Sequence, residues 1–306
     1  MMIVGAGLAG LIAAHAWPTA RIAERQAGPR AGHRALLRFR SLAVSQLTGI
    51  EFRQVRVRKG IWFDTAFVPP NIRVANMYAR KTLARLGPDR SIWNVDPVDR
   101  YVAPDSLYEQ LVDAVGDRIL WGSTIKTIGE PQFPAISTAP LPDTLKACGI
   151  HTLTYFHRAS ISVERYRLRA GGGMYQTVYF PTERHSVYRA SITDTTLIIE
   201  HAGPRAGEGP LEDVCRAMGL HSELDLEDTG EPLHEQKYGK IEPLADEGER
   251  RALITALTDR HNIYSLGRFA TWRNILLDDI VHDCAVIKRL MRTDSYSRRL
   301  KASEWK

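Results

Sequence analysis

The chain has 306 residues, 44% hydrophobic and 25% charged, with a formal net charge of +6 and a pI near 9.3. That composition excludes disordered and fibrous classes, and the absence of any run of about 18 apolar residues excludes a membrane-spanning helix. Three scattered cysteines, Cys148, Cys215 and Cys284, make neither a disulfide framework nor a zinc-type C-x-x-C pair, so a cytoplasmic location is expected.

The first stretch, Ile3 to Ala14, reads as an apolar strand, a G-x-G-x-x-G turn and an Ala/Leu-rich helix. Gly5 permits the tight turn, Gly7 lets the backbone approach a pyrophosphate, and Gly10 lets helix and strand pack closely; the helix N-terminus then faces the phosphates. Glycines in a plain turn are the alternative. Glu24, closing the run Ala20-Arg21-Ile22-Ala23, argues for the nucleotide, because an acidic residue about 20 positions on suits a ribose hydroxyl. Trp17-Pro18 stops the helix.

Arg34, Arg38 and Arg40 alternate with apolar residues up to Ser41. They form either a solvated face or, through the guanidinium fork of Arg38 or Arg40, a contact to phosphate or another anion. Phe52 to Gly60, extended by Ile61-Trp62-Phe63, alternates with period two and predicts a strand with one basic face. A solvated edge guarded by arginine and lysine is the reading taken; charge and stacking on nucleic acid beside Trp62 and Trp93 is the alternative.

Residues 71–103 read as apolar–polar alternations. Pro104-Asp105-Ser106 caps a helix from Leu107 to about Val115. Ile119-Leu120-Trp121 and Thr124-Ile125-Lys126 are expected strands, and 134–142 a strand broken by prolines. Residues 151–201 predict a meandering antiparallel sheet, Leu211–Leu220 a helix, and Lys237, Tyr238 and Lys240 a loop before Pro243. Asn262 to Arg268 reads as a buried strand ending in Gly267-Arg268. The following helix takes Asp278 or Asp279 as its N-cap, has Ile280, Cys284, Ile287 and Met291 on one face, and carries Lys288, Arg289 and Arg292 at its end.

Three segments together carry a family resemblance: the glycine turn with Glu24, Ile136 to Pro142, and Gly267-Arg268-x-Ala270-Thr271-Trp272-Arg273. The chain resembles FAD-dependent flavoproteins of the glutathione-reductase type, and within them UDP-galactopyranose mutases and their amine-oxidase relatives. The resemblance implies an α/β fold, a Rossmann-type FAD-binding domain with an interleaved antiparallel-sheet substrate domain. Its cofactor parts are expected at about 1–50, 105–145 and 245–295, and its substrate parts at about 51–104 and 146–244. It implies FAD held by Gly5, Gly7, Ala9, Gly10, Glu24, Arg25, Gly267, Arg268 and Arg273. Trp272, Asn274, Arg40 and His33 are expected at the reacting centre, and Arg38, Tyr179 and Tyr188 on the substrate.

The chain also departs from the mutases. A diphosphate-binding arginine of theirs is matched by Leu197 in Thr196-Leu197-Ile198-Ile199-Glu200, a substrate tyrosine by Asn274, and an acidic residue by Leu276. Losing a charged hydrogen bond costs about 1.5–3 kcal/mol, so mutase activity is not expected. The resemblance then implies oxidation of a C–N bond in an amine or amino-acid group. Ala35 to Ser41, Arg58 to Trp62 and Ser91 to Asn94 are further similar to small flavoproteins of bacterial viruses. Some of these are flavin-dependent lyases acting on amino acids attached to modified thymine in viral DNA, which would place the protein in the host cytoplasm with DNA as a partner. A redox-neutral mutase-like flavoenzyme and a non-catalytic nucleic-acid-binding flavoprotein are the alternatives.

Overall fold

The computed structural model describes residues 1–29, 35–87, 92–123, 134–207 and 209–292. His33 and Thr124 to Lys126 lie outside them.

Met2–Val4 (β1), Leu8–Ala16 (α1) and Arg21–Ala23 (β2) form the first strand–turn–helix–strand unit. Leu11, Ile12, Ala13 and Ala14 of α1 are fully buried, so helix propensity and burial act together. The chain turns at Trp17, whose N–H still reaches the Ala13 carbonyl, while Pro18 has no N–H to continue the helix. Ala43–Thr48 (α2) ends at Gly49 in the left-handed region. Arg53–Phe63 (β3) and Ala66–Phe67 (β4) make a hairpin.

Ile72–Leu83 (α3) replaces the alternating strands expected there. The Asn71 side chain caps it by accepting from the Val74 N–H at 3.1 Å. Val74, Ala75, Tyr78, Ala79, Thr82 and Leu83 are buried at helical spacing, which the period-two reading missed. Val98–Val102 (β5), Leu107–Val115 (α4) and Ile119–Leu120 (β6) follow. Ala135–Ser137 (β7) leads through Pro140 into Leu141–Ala147 (α5). The run 134–142, expected as a strand broken by prolines, is thus a three-residue strand followed by the start of a helix, with Pro142 in the first turn, which its fixed φ suits.

Arg158–Leu168 (β8), Met174–Tyr179 (β9), Val187–Asp194 (β10) and Thr196–Ala202 (β11) form the expected antiparallel core. Its order is not a simple meander, because β8 pairs with β11. Pro210–Met218 (α6), Ser222–Asp225 (α7) and Leu226–Asp228 (β12) come next. Lys237, Tyr238 and Lys240 lie on His234–Ile241 (β13) rather than in a loop, held by pairing to β8. Glu247–His261 (α8) starts at Asp246, whose carboxylate accepts from the Gly248 and Glu249 N–H groups. Ile263–Ser265 (β14) and Leu277–Leu290 (α9) complete the described elements. Neither Asp278 nor Asp279 is the N-cap of α9. Both sit in its first turn, and Asp279 reaches back to the Leu276 N–H at 2.8 Å.

Two sheets result among the described residues. The smaller is parallel, in the order β14-β7-β1-β2-β6. One face packs on α1, α4 and α9 through Leu11, Leu111 and Ile287. Leu141, Leu257 and Trp272 cluster with Ala135 and Ile263 of its strands in a second core. The larger sheet runs β12-β8-β11-β10-β9-β3-β4, with β13 on β8 and β5 on β3. The basic strand β3 is thus interior, between β9 and β5, and not the guarded edge expected.

Register decides the larger sheet's two faces, because directly opposed residues project to the same side. Val178, Ala190 and Ile199 form one row, packed with Val214, Cys215 and Ala217 of α6. Tyr179, Arg189 and Glu200 form the neighbouring row on the other face, with Thr177 and Ser191 behind them.

Candidate functional site

The glycine turn joins the two halves of the smaller sheet at one end. Gly5 has φ +96°, and a Cβ there would stand 2.7 Å from Thr138 Oγ1. Thr138 follows β7 and donates to the Val4 carbonyl at 2.7 Å. At Gly10 a Cβ would lie 1.9 Å from the Gly5 carbonyl oxygen, so only glycine allows α1 to cross its own turn. Gly7 is different: a Cβ there meets nothing within 4 Å. It stands in open space as the N-cap of α1, whose first turn carries no acidic residue and whose leading N–H groups have no intrahelical acceptor. That is an anion cradle of nucleotide-binding type.

Glu24 is buried at the end of β2. Its Oε2 accepts from the Ala6 N–H at 2.8 Å, and its Oε1 from the Gln26 N–H at 3.0 Å. Glu24 therefore braces the glycine turn, and each oxygen keeps a lone pair for a further donor such as a ribose hydroxyl. Arg25 is exposed beside it.

The last strand brings a second backbone turn to this point. After β14, Gly267 has φ +91°, and its virtual Cβ lies 3.1 Å from the Ala9 Cβ. The turn is closed by Thr271, whose N–H and hydroxyl both donate to the Gly267 carbonyl. Trp272 follows at φ +49°. Its side chain is 0% exposed, and the indole N–H donates to the Glu242 carbonyl at 2.9 Å. Expected at the reacting centre, Trp272 is instead a packing residue, T-shaped against Phe156 and Tyr238.

Arg273 forms an ion pair with buried Asp283 of α9 and also donates to Thr271 Oγ1. Burial pushes the Asp283 carboxyl up, while Arg273 pulls it back. The Arg273 guanidinium is accordingly engaged in fastening α9. Arg40 plays a similar part: its side chain grips Asp279 at 2.7 Å while Asp278 accepts the backbone N–H groups of Arg40 and Ser41. Asn274 is exposed and Arg268 half-buried. Leu276 is exposed too, so neither Asn274 nor Leu276 is held in a closed wall.

The third component is the polar face of the larger sheet. Arg38 lies across it, donating from Nη1 to Thr177 Oγ1 at 2.8 Å and from Nη2 to the Ile192 carbonyl at 3.0 Å. Burial, helped by the neighbouring charge of Arg189, pushes the Arg38 guanidinium down to about 10. Glu200 is 1% exposed and accepts from Arg189 Nε, from Arg189 Nη2 at 2.7 Å and from the Tyr188 hydroxyl at 3.1 Å. Burial opposes both charges of this pair. Each partner nevertheless holds the other ionised, Glu200 below the usual carboxylate range and Arg189 above its own. Lys240 Nζ sits 4.3 Å from the Tyr188 ring centroid, and Tyr78 stacks edge-on against Tyr179 at 5.5 Å.

Of the expected substrate residues, Arg38 and half-buried Tyr179 lie on this face. Tyr188 is fully buried beneath Lys240 and orients Glu200. Lys240 was named with Lys237 and Tyr238 as able to reach the site, whereas Arg189 and Glu200 were not singled out from sequence as site residues. Their signal was the register of β9, β10 and β11, which a single sequence does not reveal. Leu197 requires a correction. It is 0% exposed on the apolar face under α6, so its identity says nothing about the cations of the opposite, polar face. Those are supplied by Arg38, Arg189 and Lys240.

These features define a two-sheet α/β fold in which a parallel, Rossmann-type sheet is interleaved with a mainly antiparallel one. Solved structures share it. Reduced UDP-galactopyranose mutase matches with a TM-score of 0.64 at 14% identity, over 95% of this chain and 93% of that one. A putrescine oxidase variant with redesigned cofactor binding matches at 0.55 and 11% identity, over 95% and 98%. The rebeccamycin biosynthetic enzyme RebC with reduced flavin matches at 0.53 and 12% identity, over 97% of this chain and 61% of that one. No protein-family profile matches the chain, and no curated protein matches it in sequence. Among the described residues no helix is long and apolar enough to cross a membrane.

Proposed function

We propose that this chain is an FAD-dependent oxidoreductase that oxidises a C–N bond of an amine or amino-acid group. The carrying observation is the meeting of Gly267 with Ala9 beside the open N-cap at Gly7. Two glycine turns from distant segments come together there, next to leading helix N–H groups that have no intrahelical acceptor. In this reading residues 1–50, 105–145 and 245–295 hold the cofactor, and 51–104 and 146–244 the substrate. Gly5, Gly7, Ala9 and Gly10 would approach the pyrophosphate, Glu24 the ribose, and the Gly267-Arg268 turn the far end of the cofactor.

Bound at that turn, FAD supplies a two-electron acceptor for hydride leaving the carbon next to nitrogen. The substrate nitrogen gives up a proton, and water hydrolyses the resulting imine. The chain's part is to orient the amine beneath the Tyr179–Arg189 row and to hold α9 in place through Arg273–Asp283 and Arg40–Asp279. A narrower form makes the enzyme a lyase for amino acids attached to modified thymine in viral DNA. The basic residues Arg53, Arg56 and Arg58, exposed on β3, support that form.

The first test is the visible spectrum of purified protein reconstituted with FAD. Yellow protein is expected, and a colourless one that takes up no FAD overturns the reading. Peroxide formation is then followed with amines and with DNA bearing amino-acid-modified thymine. Bleaching of the flavin by the modified DNA alone would favour the narrow form. A redox-neutral action on a sugar nucleotide is the second reading, favoured by the cations around Glu200. It predicts that chemically reduced protein interconverts the sugar rings and forms no peroxide.

A further inference from the structure

We propose that residues 38–41 are a strap that fixes the larger sheet against the smaller one. In it Arg38 is a positioning residue for the substrate side, not a contact to the substrate, and Asp278 is the strap's anchor. This deepens the reading above, and rests on it only for which sheet faces the substrate.

Four consecutive residues reach both halves of the molecule. Arg38 spends its two terminal nitrogens on the larger sheet. Nη1 donates to Thr177 Oγ1 at 2.8 Å, and Nη2 to the Gln176 carbonyl, the Ile192 carbonyl and Thr193 Oγ1 at 3.1, 3.0 and 3.2 Å. Phe39 exchanges two backbone hydrogen bonds of 2.9 Å with Tyr101 of β5. Its ring lies in the core of the smaller sheet, with the Phe52 centroid 4.6 Å away. The N–H groups of Arg40 and Ser41 and the Ser41 hydroxyl then donate to Asp278 at 3.0, 3.1 and 3.0 Å. Asp278 is nearly buried in the first turn of α9. The residues just before divide in the same way: Leu36 joins the cluster of Ile61 and Tyr188, and Leu37 that of Leu11 and Ile287.

The strap matters because of where another attachment lies. Tyr238 and Ile241 of β13 join the core around Leu257 and Trp272, and apolar contact of that kind is non-directional. Arg38 grips β9 and β10, three to four strands away in the order β13-β8-β11-β10-β9. At the usual strand spacing that is about 14–19 Å. Halves of a chain that meet at one apolar contact are free to move relative to each other. A second attachment, made by a planar guanidinium whose donors have fixed directions, removes the rocking motion about β13. The same helix also holds Arg273 at Asp283, so the turn after Gly267 and the strap share α9 as anchor.

The test measures distances between spin labels in the full chain, with and without FAD. Cys148→Ser removes the half-buried thiol, and Cys215 and Cys284 are buried. Labels at Glu109→Cys on α4 and Thr65→Cys in the β3–β4 turn span the two sheets far from β13. Labels at Glu109→Cys and Lys237→Cys span them at β13, and Thr65→Cys with Lys237→Cys stays within the larger sheet. All three sites are exposed. Arg38→Met and Asp278→Ala, which cut the strap at either end, should each widen the 109–65 distribution about twofold, as expected for a freed hinge. The 109–237 distribution should widen less and the 65–237 distribution stay as in the unsubstituted strap. Val178→Ala, which loosens the apolar face without touching the strap, should leave all three widths unchanged. An unchanged 109–65 width in either strap variant overturns the inference, because cutting either end must free the sheet. Widening of 65–237 alongside it overturns it too, and assigns Arg38 to the folding of the sheet itself. Failure to take up FAD sinks the flavin reading instead, and the distances in the apoprotein still decide whether the strap exists.

Discussion

The two sheets do their work by different means. Strands of the smaller sheet are only two or three residues long, mostly apolar, and packed against helices. What that sheet presents at its working end is backbone, shaped by Gly5, Gly10 and Gly267. The larger sheet has strands of up to 11 residues with one apolar face and one charged face, and it presents side chains. A backbone site tolerates change nearly anywhere except at its glycines, whereas a side-chain site depends on which residues register places together.

That contrast can be broken from either side. The largest effect is expected at the larger sheet: Arg189→Leu strands Glu200 in the interior and should cost about 3 kcal/mol of stability by urea unfolding. Arg189→Lys should recover part of it. At the smaller sheet, Gly10→Ala drives a methyl into the Gly5 carbonyl, and about 1–3 kcal/mol is expected together with loss of bound flavin. Gly7→Ala sharpens the comparison, because its Cβ meets nothing and its φ is −74°. Unfolding should stay within about 0.5 kcal/mol of wild type, while flavin retained on a desalting column falls. Unchanged flavin retention in Gly7→Ala would mean the turn is structural only.

The smallest effect is a slope. Lys81 of α3 donates to the carbonyls of Phe180 and Thr182, in the connection between β9 and β10, and of Val187 at the start of β10, and burial pushes its ammonium down to about 7 from an ordinary 10.5. Between those values the unfolded chain holds the proton that the folded chain has lost. Stability should therefore rise with pH across that window. Lys81→Met should flatten the rise in melting temperature between pH 7 and 10, and an equal rise in the variant would assign it to other groups.

Legibility in the sequence followed the same division. The turn at Gly5–Gly10, the bracing acid at Glu24, the strand before Gly267 and the buried face of α9 were all readable, because each is a local pattern of three to fifteen residues. Helix α3 was misread although Asn71 marked its start, since Tyr78 and its neighbours satisfy a strand pattern over short windows. Trp272 and Leu197 were misplaced for a different reason. Each lies on a run whose position was legible, but whether a side chain faces a pocket or a core depends on the element packed against it.

The sequence by itself determined the nucleotide-type turn, because glycine's missing Cβ is a property of the residue and acts through the backbone at short range. It also determined the alternation that makes β9, β10 and β11 strands. Tertiary structure decided the rest: that Gly267 lands on Ala9, that β3 is interior, and that Arg38, Arg189 and Lys240 surround Glu200. Those residues are separated by 11 to 202 positions along the chain, and only strand pairing brings their charges to one face.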